Sequence, residues 1–176
     1  MDRRAAFRTF EFGVDDEAEI ERDRRAFRDA LGRYPTGVAV ATTRDAAGRP
    51  HGITINSFAS VSLDPPLILW SIARRATTAD AFLSAPYFAI SILAEHQEAL
   101  ARTFSWSAAD RFTGVDTVPG LGEVPLLEAA LAVFECEREA VHPGGDHAIL
   151  VGRVARFRMR PGRPLLFHAG LFRGLE

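Results

Sequence analysis

The chain has a single cysteine, Cys136, so it forms no internal disulfide, and it carries no CxxC pair for zinc or dithiol chemistry. A protein without sulfur staples belongs in a reducing compartment, and the cytoplasm is the expected location. No apolar run approaches the ~18 residues that suggest a membrane span. The opening MDRRAAFRTFEFGVDDEAE lacks the continuous apolar segment of a secretory signal. Charge of one sign is missing too. A formal net charge of −2 excludes a global basic field for nucleic acid or anionic membrane, and any anion site must be local. The P-loop, a GxGxxG after a strand, the GxSxG elbow and HExxH are all absent. A dinucleotide bound here is therefore not held on a Rossmann unit.

What is present suits a folded chain: 176 residues, 47% hydrophobic and 25% charged, are enough for one core without disulfides or metals. Residues 1–19 read as a polar N-terminal extension and 20–176 as one domain, with no repeat or linker dividing it. Ile20, Phe27, Ala30, Leu31 and Tyr34 recur at helical spacing, predicting a helix over 20–33 that Gly32 and Pro35 end. Short β-branched and apolar runs follow. Residues 38–43 (VAVATT) and 53–59 form a hairpin around DAAGRP. Residues 67–72 (LILWSI) read as a strand buried on both faces, and 88–93 as a fourth. Thr77 or Thr78 is placed to cap a short helix through Ser84. Residues 105–125 are a long irregular stretch, 131–140 and 148–159 are strands joined by HPGGD, and 166–172 is a last strand. The fold class expected is mainly β: an antiparallel small barrel with peripheral helices, closed so that no edge stays open.

Three segments carry polar groups in patterns suited to ligands. In 51–66, alternation puts Thr54, Asn56, Phe58 and Ser60 on one face and Ile53, Ile55, Ser57 and Val61 on the other. The polar face either binds a flat polar ligand or simply meets solvent. In 73–78 (ARRATT), two guanidiniums and two hydroxyls precede a helix start, a natural anion site or a solvated basic turn. In 142–150 (HPGGDHAIL), the glycines allow close backbone approach while His147 supplies a donor. Metal binding there lacks a second Cys/His cluster to complete the coordination, so no metal is expected.

Taken in order, 34–43 (YPTGVAVATT), 52–72 (GITINSFASVSLDPPLILWSI) and 145–154 (GDHAILVGRV) resemble the flavin reductase family of FMN-binding split barrels. The resemblance runs from about Ala26 to Leu175. That family includes the reductase components of two-component flavin monooxygenases. The resemblance implies a homodimeric six-stranded split β-barrel with flanking helices. It implies an NAD(P)H:flavin reductase that uses FMN or FAD with NADH or NADPH and supplies a separate oxygenase. By motif position, Thr54, Asn56, Ser57, Phe58 and Ser60 would surround the flavin, with Thr36 close by. Arg74 and Thr78 would lie near its phosphate, and Phe172 would stack. Asp146 and the catalytic candidate His147 would face the nicotinamide. Two departures stand out: Ala76 where family members often have Ser, and Phe167 and Phe172 where many have Tyr. Other readings are a flavin-storage module and an oxidase similar to the pyridoxamine-phosphate oxidases.

Overall fold

The helical and alternating patterns of the sequence are realised as a curled antiparallel sheet with two short helices packed against it. The computed structural model describes Thr9, residues 17–106 and residues 110–175. The extension read over 1–19 lies largely outside those residues, and its last three positions already belong to helix α1 (Glu17–Leu31). The Gly32 N–H, bonded to the Arg28 carbonyl at 2.8 Å, closes that helix. Strands β1 (Thr36–Gly37), β2 (Ala39–Arg44), β3 (Pro50–Ile55), β4 (Ala59–Leu63) and β5 (Pro66–Ala73) follow. Helix α2 (Ala79–Ser84), β6 (Tyr87–Ile92) and α3 (Glu98–Ser105) come next. Then come β7 (Thr117–Pro119), β8 (Pro125–Leu127), β9 (Ala132–Gly144), β10 (His147–Met159), β11 (Leu166–His168) and β12 (Leu171–Arg173).

The main sheet has the order β3-β2-β6-β9-β10-β5-β4, seven strands where the resemblance implies six. Its two edges, β3 and β4, are consecutive in the chain and joined by Asn56, Ser57 and Phe58 alone. Laid flat, seven strands would span roughly 29 Å at ~4.8 Å per step. The link from Ile55 to Ala59 reaches at most about 14 Å. The sheet therefore curls until its edges come together at this link, as a barrel with an open seam.

The barrel interior is one apolar cluster that includes Ala41, Ile68, Trp70, Ile72, Phe88, Ile90 and Leu150. Helix α2 contributes Ala79 and Phe82 to it. The Trp70 ring meets Phe82 at 4.9 Å and Phe88 at 5.9 Å, both edge to face, the arrangement aromatic quadrupoles favour. A second cluster lies outside the barrel wall. There Ala101 and Phe104 of α3, with Val124, Leu126 and Leu127, cover Val38, Val40 and Ala89. Strand β2 is consequently buried on both faces.

Four expectations change. The strand read over 53–59 is two strands, because the chain must leave one edge of the sheet and join the other, so the single alternation through Phe58 and Ser60 does not hold. LILWSI is not buried on both faces: Ile68, Trp70 and Ile72 point into the barrel, while Leu67, Leu69 and Ser71 stay half exposed. The Thr78 hydroxyl makes no cap bond to α2. The strand read over 166–172 is the β11–β12 hairpin, turned at Ala169 (φ 50°) and Gly170 (φ 81°).

Candidate functional site along strand β3

Strand β3 runs beside the seam, and polar groups collect at both of its ends. Toward its C-terminal end, Thr54 and Asn56 line a cleft of about 150 Å³ together with Val38, Ser105, Phe167 and Phe172. The Thr54 hydroxyl donates to the Ala101 carbonyl at 2.6 Å, so its oxygen keeps acceptor capacity only. Asn56 is exposed on the link between the two edge strands. Phe167 and Phe172 meet at 5.5 Å, and the Arg102 guanidinium lies 5.1 Å from the Phe172 ring. An adjoining cleft of about 540 Å³ shares Asn56 and Phe167 and adds Thr36 and Tyr34. The Thr36 hydroxyl is buried without a hydrogen-bond partner among the described residues, a cost of about 1–3 kcal/mol unless another group, a ligand or water satisfies it.

At the N-terminal end of β3 lies a cleft of about 620 Å³ lined by Arg49, His51, Gly52, Thr78 and Arg111 among others. Gly52 joins the two ends. A methyl on it would come 2.5 Å from Cε1 of Phe104 and 3.2 Å from Phe112, so its missing side chain is what lets α3 and the following loop lie against the strand. Arg111 donates through Nη1 to the Gly52 carbonyl. His51 and Arg49 both engage Asp45, at 3.0 and 2.8 Å. The His51 contact, then the Arg49 bonds, hold the Asp45 carboxyl well below the usual range.

The remaining candidates sit elsewhere. Ser57 does not face either cleft through a free hydroxyl: its oxygen accepts the Ser71 N–H at 2.9 Å and its own O–H meets the Ser71 carbonyl at 3.2 Å, which fastens the link to β5. Phe58 packs on the barrel interior and stacks on Phe134 at 5.6 Å. Ser60 is exposed on β4 opposite Ile68. Arg74, Asp146 and His147 form a third group where the β9–β10 turn meets the end of β5. The Arg74 N–H donates to the Asp146 carbonyl at 2.9 Å, and His147 pairs with Ala73. His147 Nδ1 lies 2.7 Å from Asp146 Oδ1, and that contact lowers the Asp146 carboxyl below its ordinary value. Among the described residues no cluster of three or more His, Cys, Asp or Glu could hold a metal ion. Arg111 and Ser105 escaped the sequence reading. Both lie at the start of the irregular stretch, where a lone Arg or Ser belongs to no periodic pattern.

The curled antiparallel sheet with an open seam and clefts along one edge strand is a split β-barrel, and its solved likenesses are of that kind. The Streptomyces globisporus NADH:FAD oxidoreductase SgcE6, solved in complex with NAD and FAD fragments, superposes with a TM-score of 0.83 at 39% identity, covering 88% of this chain and 94% of that one. Residues 31–176 match the family described as flavin reductase like domain, and the chain belongs to it. An FMN reductase (NADH) SmoA of Agrobacterium fabrum is 46% identical over 148 residues, 84% of each chain. The flavin-dependent monooxygenase reductase subunit HsaB of Rhodococcus jostii is 40% identical over 156 residues, covering 88% of this chain and 79% of the relative. Two further relatives are longer, and the match spans 43% and 59% of them.

Proposed function

We propose that this chain is an NAD(P)H:flavin oxidoreductase that binds FMN or FAD along β3, reduces it with NADH or NADPH and releases reduced flavin to a separate monooxygenase. The observation that carries the reading is the cleft between Thr54, Asn56 and Phe172, beside a buried Thr36 hydroxyl that no group among the described residues satisfies. A flat ring with polar edges fits that donor set: phenylalanine faces take the ring, and hydroxyl and amide groups take its edge. Family membership and the names of the relatives support the same choice.

When bound, the flavin supplies the hydride acceptor, and the redox chemistry is its own. The protein contributes alignment. Asn56 presents its amide from the link, Thr54 offers an acceptor already fixed by Ala101, and Ser57 holds the link rigid through Ser71. Arg74 and Thr78 stand on the phosphate side. His147, in the tautomer that donates Nδ1–H to Asp146, keeps Nε2 free to orient the nicotinamide nucleotide. Its role is to hold that nucleotide against the flavin, a proximity effect, and it is not an obligatory acid or base.

The working form is a homodimer in the cytoplasm, where reduced nicotinamide nucleotides are available. The outer face of the sheet supports the dimer. Leu67 and Leu69 are half exposed, and Ala59, which pairs with Leu69 from β4, is exposed beside them, an apolar patch on a face that nothing else in the described chain covers. No described helix is long and apolar enough to cross a membrane.

The deciding experiment follows oxidation of NADH and NADPH by purified protein with and without FMN or FAD. Flavin-dependent oxidation that saturates in both substrates is expected, and no oxidation with any pair overturns the proposal. His147→Ala is expected to raise the KM for the nucleotide with little change in kcat. Unchanged KM together with lost flavin retention would remove His147 from that role.

A further inference from the structure

Phe172 is a wall between two clefts, and the residue that stands behind it is charged. It lines the cleft of about 150 Å³ with Thr54 and Asn56. It also lines a cleft of about 650 Å³ with Pro35, Leu166 and Arg173. Its side chain has no donor or acceptor, so no hydrogen bond sets the plane of its ring. Two ring contacts do so instead. The Phe167 ring meets it edge to face at 5.5 Å and 64°. The Arg102 guanidinium lies over it, 5.1 Å from the centroid, inside the ~6 Å at which a cation and a ring face attract.

Arg102 is held there by its own helix. Glu98, one turn earlier on α3, accepts from Arg102 Nε at 2.9 Å and from Nη2 at 2.6 Å, both through Oε1. Two bonds to one oxygen fix the guanidinium plane, which a single bond leaves free to turn. The two side chains are 57% and 44% exposed, and an exposed pair of this spacing adds little to a helix. What sets it apart from an ordinary surface pair is the ring beneath it. Arg102 is not among the described residues lining either cleft, so its charge reaches a ligand through Phe172. The same helix supplies the polar edge of the smaller cleft: Ser105 lines it, and the Ala101 carbonyl accepts the Thr54 hydroxyl at 2.6 Å. One element therefore positions the aromatic wall and the polar edge together.

We propose that Arg102 is a positioning residue that acts through Phe172: it holds the stacking face of the cleft and tilts the site toward reduced flavin over oxidised flavin, with Glu98 as the counter-charge that limits the tilt. This rests on the flavin-reductase reading. Reduction adds electron density to the isoalloxazine and, once a proton leaves, a negative charge. A cation behind the wall ring favours that form over the neutral oxidised one. The Glu98 carboxylate opposes the effect from the same side. A reductase that releases its product needs such a balance, because an unopposed cation would retain the reduced flavin.

The test is an anaerobic spectroelectrochemical titration of FMN bound to the whole protein, set against free FMN. The shift in midpoint potential reads the ratio of the affinities for the reduced and oxidised forms. Arg102→Met keeps an apolar stem over the ring and removes the charge. It is expected to lower the ratio roughly 2- to 5-fold, the size of a cation–π contact at an exposed site. Glu98→Gln is expected to raise it roughly 2-fold, the scale of an exposed charge. In a Phe172→Leu background Arg102→Met is expected to have no further effect, because the ring that carries it is gone.

Opposite signs in the two single variants uphold the proposal, since a clamp that only held the ring in place would weaken both flavin forms alike in both variants. Any other pattern overturns it, and so does a full effect of Arg102→Met in folded Phe172→Leu. Should Phe172→Leu not fold, the two single variants decide. A wild type that binds neither FMN nor FAD ends the flavin reading and the proposal together. A wild type that binds flavin, with the ratio unchanged in both single variants, ends the proposal alone.

Discussion

Strands β2 and β5 carry similar apolar runs and meet different fates. VAVATT has the smaller side chains, yet it is buried on both faces, because α3 and β8 lie over its outer side. LILWSI is bulkier, and only Ile68, Trp70 and Ile72 are buried. Hydrophobicity therefore did not decide burial; the path of the remaining chain did. Helix α3 and residues 124–130 were spent covering β2 and β6, and nothing among the described residues was left for the outer face of β5. A large apolar strand with one uncovered face calls for cover from another molecule, and a second copy is the cover proposed above.

The sharpest way to break this comparison is a pair of neighbours on β5. Trp70→Ala, inside the barrel, is expected to cost about 3–5 kcal/mol of stability. Leu69→Ala, on the outer face, is expected to cost less than about 2 kcal/mol when the protein is dilute, since its side chain is already half wet. Urea titrations of both variants read the difference directly. Equal losses would mean that the outer face is as closely packed as the inner one.

Next in size is Leu69→Lys. It is expected to leave the fold intact and shift sedimentation from dimer to monomer, because a lysine at the centre of an apolar interface strands a desolvated charge. A dimer that persists would place the subunit contact elsewhere.

The smallest effect sharpens the β2 side. Asp45 closes the β2–β3 hairpin by accepting the Ala47 and Arg49 N–H groups at 3.0 and 2.9 Å and meeting His51. Its carboxyl is held below the ordinary value of 3.8. A depressed carboxyl contributes stability that is present above the unfolded value and is lost as the pH falls toward the folded one. Asp45→Asn should therefore lower the melting temperature at pH 7 by a few degrees, and the gap from the wild type should shrink below pH ~4. A gap independent of pH would mean that the charge contributes nothing.

Much of the fold was legible. The β2–β3 and β9–β10 hairpins follow from short alternating runs around turn residues, and α1 follows from its 3.6-residue period, starting three residues earlier than read. What escaped is what local pattern cannot encode. Alternation continues through Asn56 and Ser57 in the sequence, but the barrel's seam breaks the strand there, and a seam is a property of the whole sheet. The site divided the same way. Thr54, Asn56 and Phe172 do meet at one cleft. Ser57 and Phe58, read as ligand-facing, are bound into the link and the core. Arg111 had no sequence signal, since its meaning comes from its contact with the Gly52 carbonyl, which only three dimensions reveal.

Gly52 and Gly152 are among the glycines that the protein's inheritance holds fixed. A side chain on Gly52 would strike the Phe104 and Phe112 rings, and one on Gly152 would strike Phe88 and Cys136. Every single-base change that replaces a glycine codon's residue adds at least a Cβ. These two sites are therefore closed to neutral drift. At Gly48, Gly114 and Gly145 an added methyl would meet nothing within 4 Å. Those three are limited only by their positive φ and stay open to aspartate, which tolerates it. The close fit of α3 on β3, and of Phe88 on β10, persists because genetic variation has no smaller residue to offer and no larger one that fits.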